Sequence, residues 1–309
     1  MSRLLPERVL DLLPGPVGGT ARVIEIALRD LAGTVDRTGV VGTRPPEDPL
    51  DGRDPAYIRD TLPSVHTWTE GYFRGEVHGL ENIPGGPVLL VGNHSGGTLI
   101  ADTFVFSEAF YRHFGADRVF HQLAHDLVFS TPGVRAMLSR YGTIPANPEN
   151  MRRALDRDAA LLVYPGGDHE TFRPSWQSAD IDFDGRTGFV KLALELGVPI
   201  VPVVAIGGQE TALFLGQGKE ASRRLGLDRA LRLKVLPAQI APPFGFTVLD
   251  LPLRFPLPAK ITVRVLEPID LKASLGSRPT PKKGYDLVTK RMQKALTELS
   301  DDRTLPVVG

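Results

Sequence analysis

Val88-Leu89-Leu90-Val91-Gly92-Asn93-His94-Ser95-Gly96-Gly97 is a wholly apolar run that stops in a polar, glycine-rich turn. Four successive apolar residues with no polar face fit a strand buried on both sides, the habit of parallel sheets. The pattern returns twice. Ala159 to Tyr164 is a buried run broken by Pro165-Gly166-Gly167, and Ile200 to Ile206 is one ended by Gly207-Gly208. Helical segments alternate with these runs: one starting at Thr98, then residues 131–141, 186–196 and 283–299, with Gly197 stopping the third. Strands are also expected over 73–79, 117–121 and 259–266. The fold class is therefore α/β, a largely parallel central sheet flanked by helices. Ligands of such sheets bind beyond the carboxyl ends of the strands, so the three glycine turns should share one edge.

Before this pattern the chain differs in character. Residues 18–35 place Val23, Ile24, Ala27, Leu28 and Leu31 on one face and Arg22, Glu25 and Arg29 on the other. That is an amphipathic helix, suited to docking on the domain or on a membrane surface. Residues 44–63 hold five prolines among Asp, Arg and Gly. This reads as a linker, with a boundary near 62 between an N-terminal segment (1–62) and a catalytic domain (63–309). Residues 231–258 combine frequent proline with Phe244, Phe246, Val248, Leu249, Leu251, Leu253 and Phe255. Regular helix is excluded there. The stretch either folds into the core or forms a greasy surface, with Arg232, Lys234, Arg254 and Lys260 available to anionic headgroups.

The 309 residues carry 36 Lys+Arg and 36 Asp+Glu, a balance that argues against nucleic acid as a partner. A 42% hydrophobic content is enough to build a core. Cysteine is absent, so disulfides, thiolate metal sites and a cysteine nucleophile are excluded. Glu7, Arg8 and Asp11 interrupt any apolar leader, and no uninterrupted membrane-spanning run occurs; a soluble or peripheral protein is expected.

The residues with chemical capacity lie in the turns. His94 follows a buried strand, and Asp102 comes two helical turns into the next element. An imidazole oriented by a carboxylate is a general base, worth roughly 10²–10⁴ in rate when it deprotonates an attacking alcohol. The same position suits a histidine that only caps the helix. Gly96 and Gly97 allow close backbone approach, where N–H groups could hold an oxyanion. Tyr164-Pro165-Gly166-Gly167-Asp168-His169-Glu170 brings two carboxylates and an imidazole to the same edge, or forms a solvated, helix-capping loop. His121 and His125 would be one helical turn apart, yet the His-Glu-x-x-His pattern and a third ligand are missing. Nucleotide glycine loops and a Gly-x-Ser-x-Gly elbow are also missing.

Four blocks in order resemble the glycerolipid acyltransferase superfamily, of the lysophospholipid acyltransferase type, over roughly residues 73–270. Val88 to His94 resembles its first block, with an Asn-His pair after a strand. Tyr141 to Asn147 occupies the place of the second. Tyr164-Pro165-Gly166-Gly167 resembles the third, Phe-Pro-Glu-Gly, and Val198 to Val203 the fourth. The resemblance implies that His94 is the general base and a nearby aspartate its orienter. The family's usual spacing is His-x4-Asp, but position 99 is leucine and the nearest aspartate is Asp102. Gly166 replaces the usual Glu, His169 stands where an Arg often contacts phosphate, and the second block lacks its Arg. These departures, with Gly185 to Ala193, resemble the branch of diacylglycerol acyltransferases and phytyl ester synthases, which use neutral alcohol acceptors.

The resemblance implies transfer of a fatty acyl group from acyl-CoA or acyl-carrier protein to a lipid hydroxyl. Asn93, Ser95, Gly96, Gly97, Tyr164, Pro165, Gly166, Gly167, Asp168, His169 and Glu170 would line the substrate site. Metal and bound cofactor are not required. A peripheral location on the cytoplasmic membrane face is expected, through the 231–258 stretch or the first helix. An esterase or thioesterase, or a non-catalytic lipid-binding protein, remains open as an alternative.

Overall fold

The computed structural model describes residues 47–309 apart from 99, 126–128, 130–131, 227–234, 249, 251–253, 306 and 308–309. For residues 132–134 only the backbone is described. The amphipathic segment 18–35, Leu99, Arg232, Lys234, Leu249, Leu251 and Leu253 lie outside the described residues.

The first helix, α1 (Pro55–Gly71), starts on a proline at its first turn and is capped by Asp54, whose carboxylate accepts the Tyr57 N–H. It buries Tyr57, Ile58, Val65 and Trp68 against the core and runs through Leu62 and Pro63. The expected boundary near residue 62 is therefore corrected: this position is mid-helix. One missing N–H at Pro63 is outweighed by the burial of the apolar face.

The strands β1 (Glu76–His78), β2 (Val88–Gly92), β3 (Phe120–Ala124), β4 (Thr143–Pro145), β5 (Ala160–Val163) and β6 (Ile200–Ile206) join a later strand in a seven-stranded sheet. Interleaved are α2 (Ala101–Phe114), α3 (Pro132–Arg140), α4 (Pro148–Asp156), α5 (Asp168–Thr171) and α6 (Gly188–Leu196). Next come β7 (Leu213–Gly216), α7 (Lys219–Arg224), β8 (Ala238–Ala241) and β9 (Gly245–Thr247). The chain closes with β10 (Thr262–Val265), α8 (Leu271–Leu275) and α9 (Pro281–Asp301). The order in the main sheet is β1-β10-β6-β2-β5-β3-β4. The five strands from β6 to β4 are mutually parallel, while β10 runs antiparallel to β6 and carries β1 parallel to itself. The largely parallel sheet expected from the sequence is present.

The apolar runs are continuous because both faces of the sheet are covered. Val88 and Leu90 of β2 and Val201, Val203 and Ala205 of β6 face one core, which α1 and α2 close with Trp68, Val105 and Phe106. Leu89, Val91, Ile200, Val204 and Ile206 face the other, closed by α4, α6 and α9 through Leu155, Val190 and Met292. Because β6, β2 and β5 are neighbours pointing the same way, the turns after Gly92, Val163 and Ile206 emerge side by side at one edge.

Residues 213–247 add a separate antiparallel sheet, β7-β8-β9, which packs Phe214 and Ala241 against Phe172. Much of the proline-rich stretch is thus neither helix nor core strand.

Candidate functional site

Asn93 holds the exit from β2. Its carboxamide continues the sheet ladder: Nδ2 donates to the Ala205 carbonyl (2.8 Å) and Oδ1 accepts the Ala205 N–H (2.8 Å). Asparagine carries donor and acceptor side by side and can replace a backbone rung in this way. The next residue, His94, is thereby fixed just beyond the sheet. Its ring stacks on Tyr164 with centroids 4.4 Å apart and planes 18° from parallel. Gly92 makes room for this stack, since a Cβ there would lie 2.5 Å from the Tyr164 ring. The Tyr164 hydroxyl is tied to Thr103 Oγ1 at 2.6 Å.

Five successive backbone N–H groups of the turn already have acceptors. His94 donates to Glu170 Oε2 (3.1 Å), Ser95 to Asp102 Oδ2 (3.2 Å), Gly96 to Gln209 Oε1 (3.0 Å) and Gly97 to the Thr171 carbonyl (3.2 Å). Thr98 donates to Asp250 Oδ2 through both its N–H and its hydroxyl. The expectation that the Gly96 and Gly97 N–H groups hold an oxyanion is corrected by this pattern: both are engaged within the protein.

Asp102 is likewise committed elsewhere. One oxygen accepts the Ser95 N–H and hydroxyl (2.9 Å), the other the Thr103 N–H (2.8 Å). His94 Nδ1 is buried without a hydrogen-bond partner among the described residues. The expected imidazole–carboxylate bond is not formed, because α2 begins at Ala101 and its first turn aims Asp102 at Ser95. Asp102 positions the turn rather than the ring.

Burial governs the protonation of the group. It pushes the His94 imidazole down to about 3, assisted by the Arg173 cation. It raises Asp102 to about 6 and Glu170 to about 7, against the pull of hydrogen-bond donors and of Arg173. Tyr164 is raised too, by burial and the Asp102 charge. His94 is therefore a neutral imidazole at physiological pH.

Gly166, where the third block ordinarily has Glu, does not leave a hole. A Cβ at 166 would lie 2.3–2.5 Å from Cγ, Cδ and Oε2 of Glu170. The fully buried Glu170 carboxylate fills that volume, and besides His94 it accepts the Asp182 N–H (3.2 Å) and Arg173 Nη1 (3.3 Å). Arg173 in turn donates to the His94 carbonyl at 3.3 Å. Asp168 and His169 are drawn aside. Asp168 pairs with Arg186, which also holds the Pro165 and Gly166 carbonyls (3.2 and 3.0 Å). His169 is bound by Asp182 (2.6 Å) and Lys219. Gly167 turns the chain between them at φ +48°. A polar cleft of about 200 Å³ opens here, lined by His169, Glu170, Arg173, Gln177 and Gln217 among others.

Arg254, expected at a headgroup, is instead buried in an ion pair with Asp250 (2.7 Å). It also donates to the carbonyls of Thr211 (3.2 Å) and Gly96. Lys260 pairs with Glu76 at 3.0 Å. His121 lies on β3, with Nδ1 at 2.9 Å from the Gly142 carbonyl, so the helical spacing to His125 does not exist. Among the described residues no group of three or more metal-ligating side chains is arranged around a common point.

Sequence reasoning missed Arg173, Gln209 and Asp250, and assigned Arg254 to a headgroup instead of to the turn. Gln209 carried a usable signal, since it follows Gly207-Gly208 at the same sheet edge. Asp250 and Arg254 reach the turn from outside any block and carried none.

Residues 74–206 match the Acyltransferase family. An uncharacterized protein of Mycobacterium tuberculosis is 31% identical over 208 residues, covering 67% of this chain and 55% of that protein. A Bos taurus protein named "DGAT1/2-independent enzyme synthesizing storage lipids" is 27% identical over 220 residues, 71% of this chain and 59% of its own length. The chain thus spans about half the length of the curated relatives it matches. Among solved structures, the 1-acyl-sn-glycerophosphate (LPA) acyltransferase PlsC from Thermotoga maritima aligns at TM-score 0.48 and 17% identity, over 93% of this chain and 100% of that one.

Proposed function

We propose that this chain, whose residues 74–206 match the Acyltransferase family, moves a fatty acyl group from an acyl thioester to the hydroxyl of a neutral lipid. The observation that carries this reading is His94: a neutral imidazole with an unsatisfied buried Nδ1, held at the carboxyl edge of a parallel sheet. A neutral imidazole takes the hydroxyl proton as the oxygen attacks the thioester carbonyl, and the thiolate leaves with no covalent enzyme intermediate. Asn93 anchors the strand exit that carries the ring, Ser95 and Asp102 hold the turn, and Tyr164 stacks on the ring itself. Arg173 lies beside His94, donating to its carbonyl at 3.3 Å. The neutral acceptor is supported by His169 standing where an Arg often contacts phosphate, by the second block's missing Arg, and by the storage-lipid relative. The donor is acyl-CoA or acyl-carrier protein, and the protein works peripherally on the cytoplasmic membrane face.

The test is thiol release from long-chain acyl-CoA, with and without a panel of lipid alcohols, for wild type and His94→Ala. Release that needs both acceptor and His94 establishes the transfer and its acceptor class. Release that needs His94 but no acceptor assigns a thioesterase instead. A non-catalytic lipid carrier is the second reading, favoured by the fully engaged N–H groups of the turn and the missing His94–Asp102 bond. It predicts no release with either donor and lipid binding indifferent to His94→Ala.

A further inference from the structure

The small sheet has two unlike faces. Its register aligns Leu213 with Ile240 and Ile240 with Phe246, one from each strand. All three point outward, 44%, 42% and 62% exposed. Leu215, Phe244 and Val248 extend the apolar surface around this row. The alternate residues turn inward. Phe214 and Gln239 are buried, and the Phe214 ring stands 6.3 Å from that of Phe172. A Cβ on Gly97 would come within 2.9 Å of Phe214, so the inner face touches the turn that carries His94. Strand alternation ordinarily sets polar residues opposite a buried row. Here the outward row is apolar instead, and an outer row of this kind marks an interaction surface.

Two neighbours identify what it meets. Trp176 is 68% exposed beside β7, to which it is tied by the adjoining Ser175, whose hydroxyl accepts the Phe214 N–H at 2.9 Å. Tryptophan favours the membrane–water interface. The helix α7, which follows β7 directly, carries Lys219, Arg223 and Arg224 against the single carboxylate Glu220. This surplus occurs in a chain whose total charge is zero. A cationic rim beside an apolar row suits an anionic bilayer, whereas a second copy of the chain would bring like charge to it.

We propose that the outer face of the β7-β8-β9 sheet is the surface by which this protein docks on anionic lipid. The assignment rests on the acyltransferase reading only for its purpose. A lipid alcohol leaving the bilayer at this face would be one layer of side chains from the His94 turn.

The experiment is cosedimentation of the full chain with vesicles of two-thirds phosphatidylcholine and one-third phosphatidylglycerol. Wild type is compared with the triple variant Leu213→Thr/Ile240→Thr/Phe246→Thr and with Leu305→Thr, an exposed leucine elsewhere. Threonine keeps β propensity. The triple variant should lose binding by roughly tenfold or more while Leu305→Thr binds as wild type, because each apolar side chain inserted adds to the affinity. High salt, or phosphatidylcholine alone, should weaken wild-type binding. Equal binding by the triple variant, or no wild-type binding, would overturn the assignment. A fall of several degrees in Tm, or a changed mass by light scattering, would also overturn it, by showing the row covered by the chain itself or by a second copy. Acyl transfer by wild type to a water-soluble acceptor is measured separately, so loss of the enzymatic reading and loss of the docking surface give different results.

Discussion

Glu170 shows how one residue can take over a place that the local motif leaves vacant. Counting along the third block registers a lost carboxylate at Gly166. In space the carboxylate is present, delivered from one helical turn later, and it receives the N–H of His94. This leads to a testable non-additivity. Gly166 has no positive φ, so Gly166→Ala is opposed only by the overlap with Glu170, and it should destabilise the protein by about 1–3 kcal/mol, the usual range for overpacking. Glu170→Ala should also destabilise it, by stripping acceptors from the His94 and Asp182 N–H groups and leaving Arg173 uncompensated. The double variant should then be more stable than the sum of the two costs implies. Strict additivity in denaturant unfolding of the four proteins would show that the two side chains do not compete for one volume. The carboxylate itself was legible as a polar residue of the turn. Its position was not, because a tight α5 turn places it across from Gly166 and not beside Asp168.

At the scale of elements, the apolar runs β2, β5 and β6 were legible because burial on both faces leaves them no polar alternation. Their glycine-rich exits were legible for the same reason, as chain breaks. The start of α2 was less so. A start at Thr98 would bring Asp102 round to a different side of the helix, whereas the observed start at Ala101 turns it onto Ser95. The rung from Asn93 to Ala205 is a further feature that no periodicity contains, since one side chain there acts as strand backbone. Asn93→Ala would leave the N–H and C=O of Ala205 unpaired in a buried place. Each such group costs about 1–3 kcal/mol, and the exit of β2 would lose its anchor. We expect a clear fall in Tm and a fall in thiol release of at least roughly tenfold, because a base displaced by 1 Å loses much of its effect. Wild-type turnover in a folded Asn93→Ala protein would show that the rung has no part in holding His94.

For the molecule as a whole, the site is a desolvated cluster of ionisable groups, and it makes folding depend on pH. Asp102 and Glu170 have pKa values raised by burial, to about 6 and about 7. Each binds its proton more tightly folded than unfolded. Their contribution to stability is full below the ordinary carboxylate range and is lost as pH rises through 6 and 7. Glu108 is shifted in the same direction. His94 acts oppositely. Its pKa is lowered to about 3, so its contribution is full above 6.5 and is lost as pH falls toward 3. Asp48, Asp54 and Asp182, lowered by hydrogen bonds and neighbouring cations, also withdraw their contribution only in acid. Above pH 6.5 the His94 contribution is already full while Glu170 is still losing its own, so Tm should decline from there to pH 8. In Glu170→Gln, which keeps the shape but cannot ionise, the decline between pH 6.5 and 8 should flatten. A wild-type Tm that holds steady or climbs over that interval, or an unchanged slope in Glu170→Gln, would mean that Glu170 is already ionised beside Arg173 at pH 6. Burial would then not dominate the electrostatics of the turn, and the neutrality of His94, which follows from the same burial, would lose its physical basis.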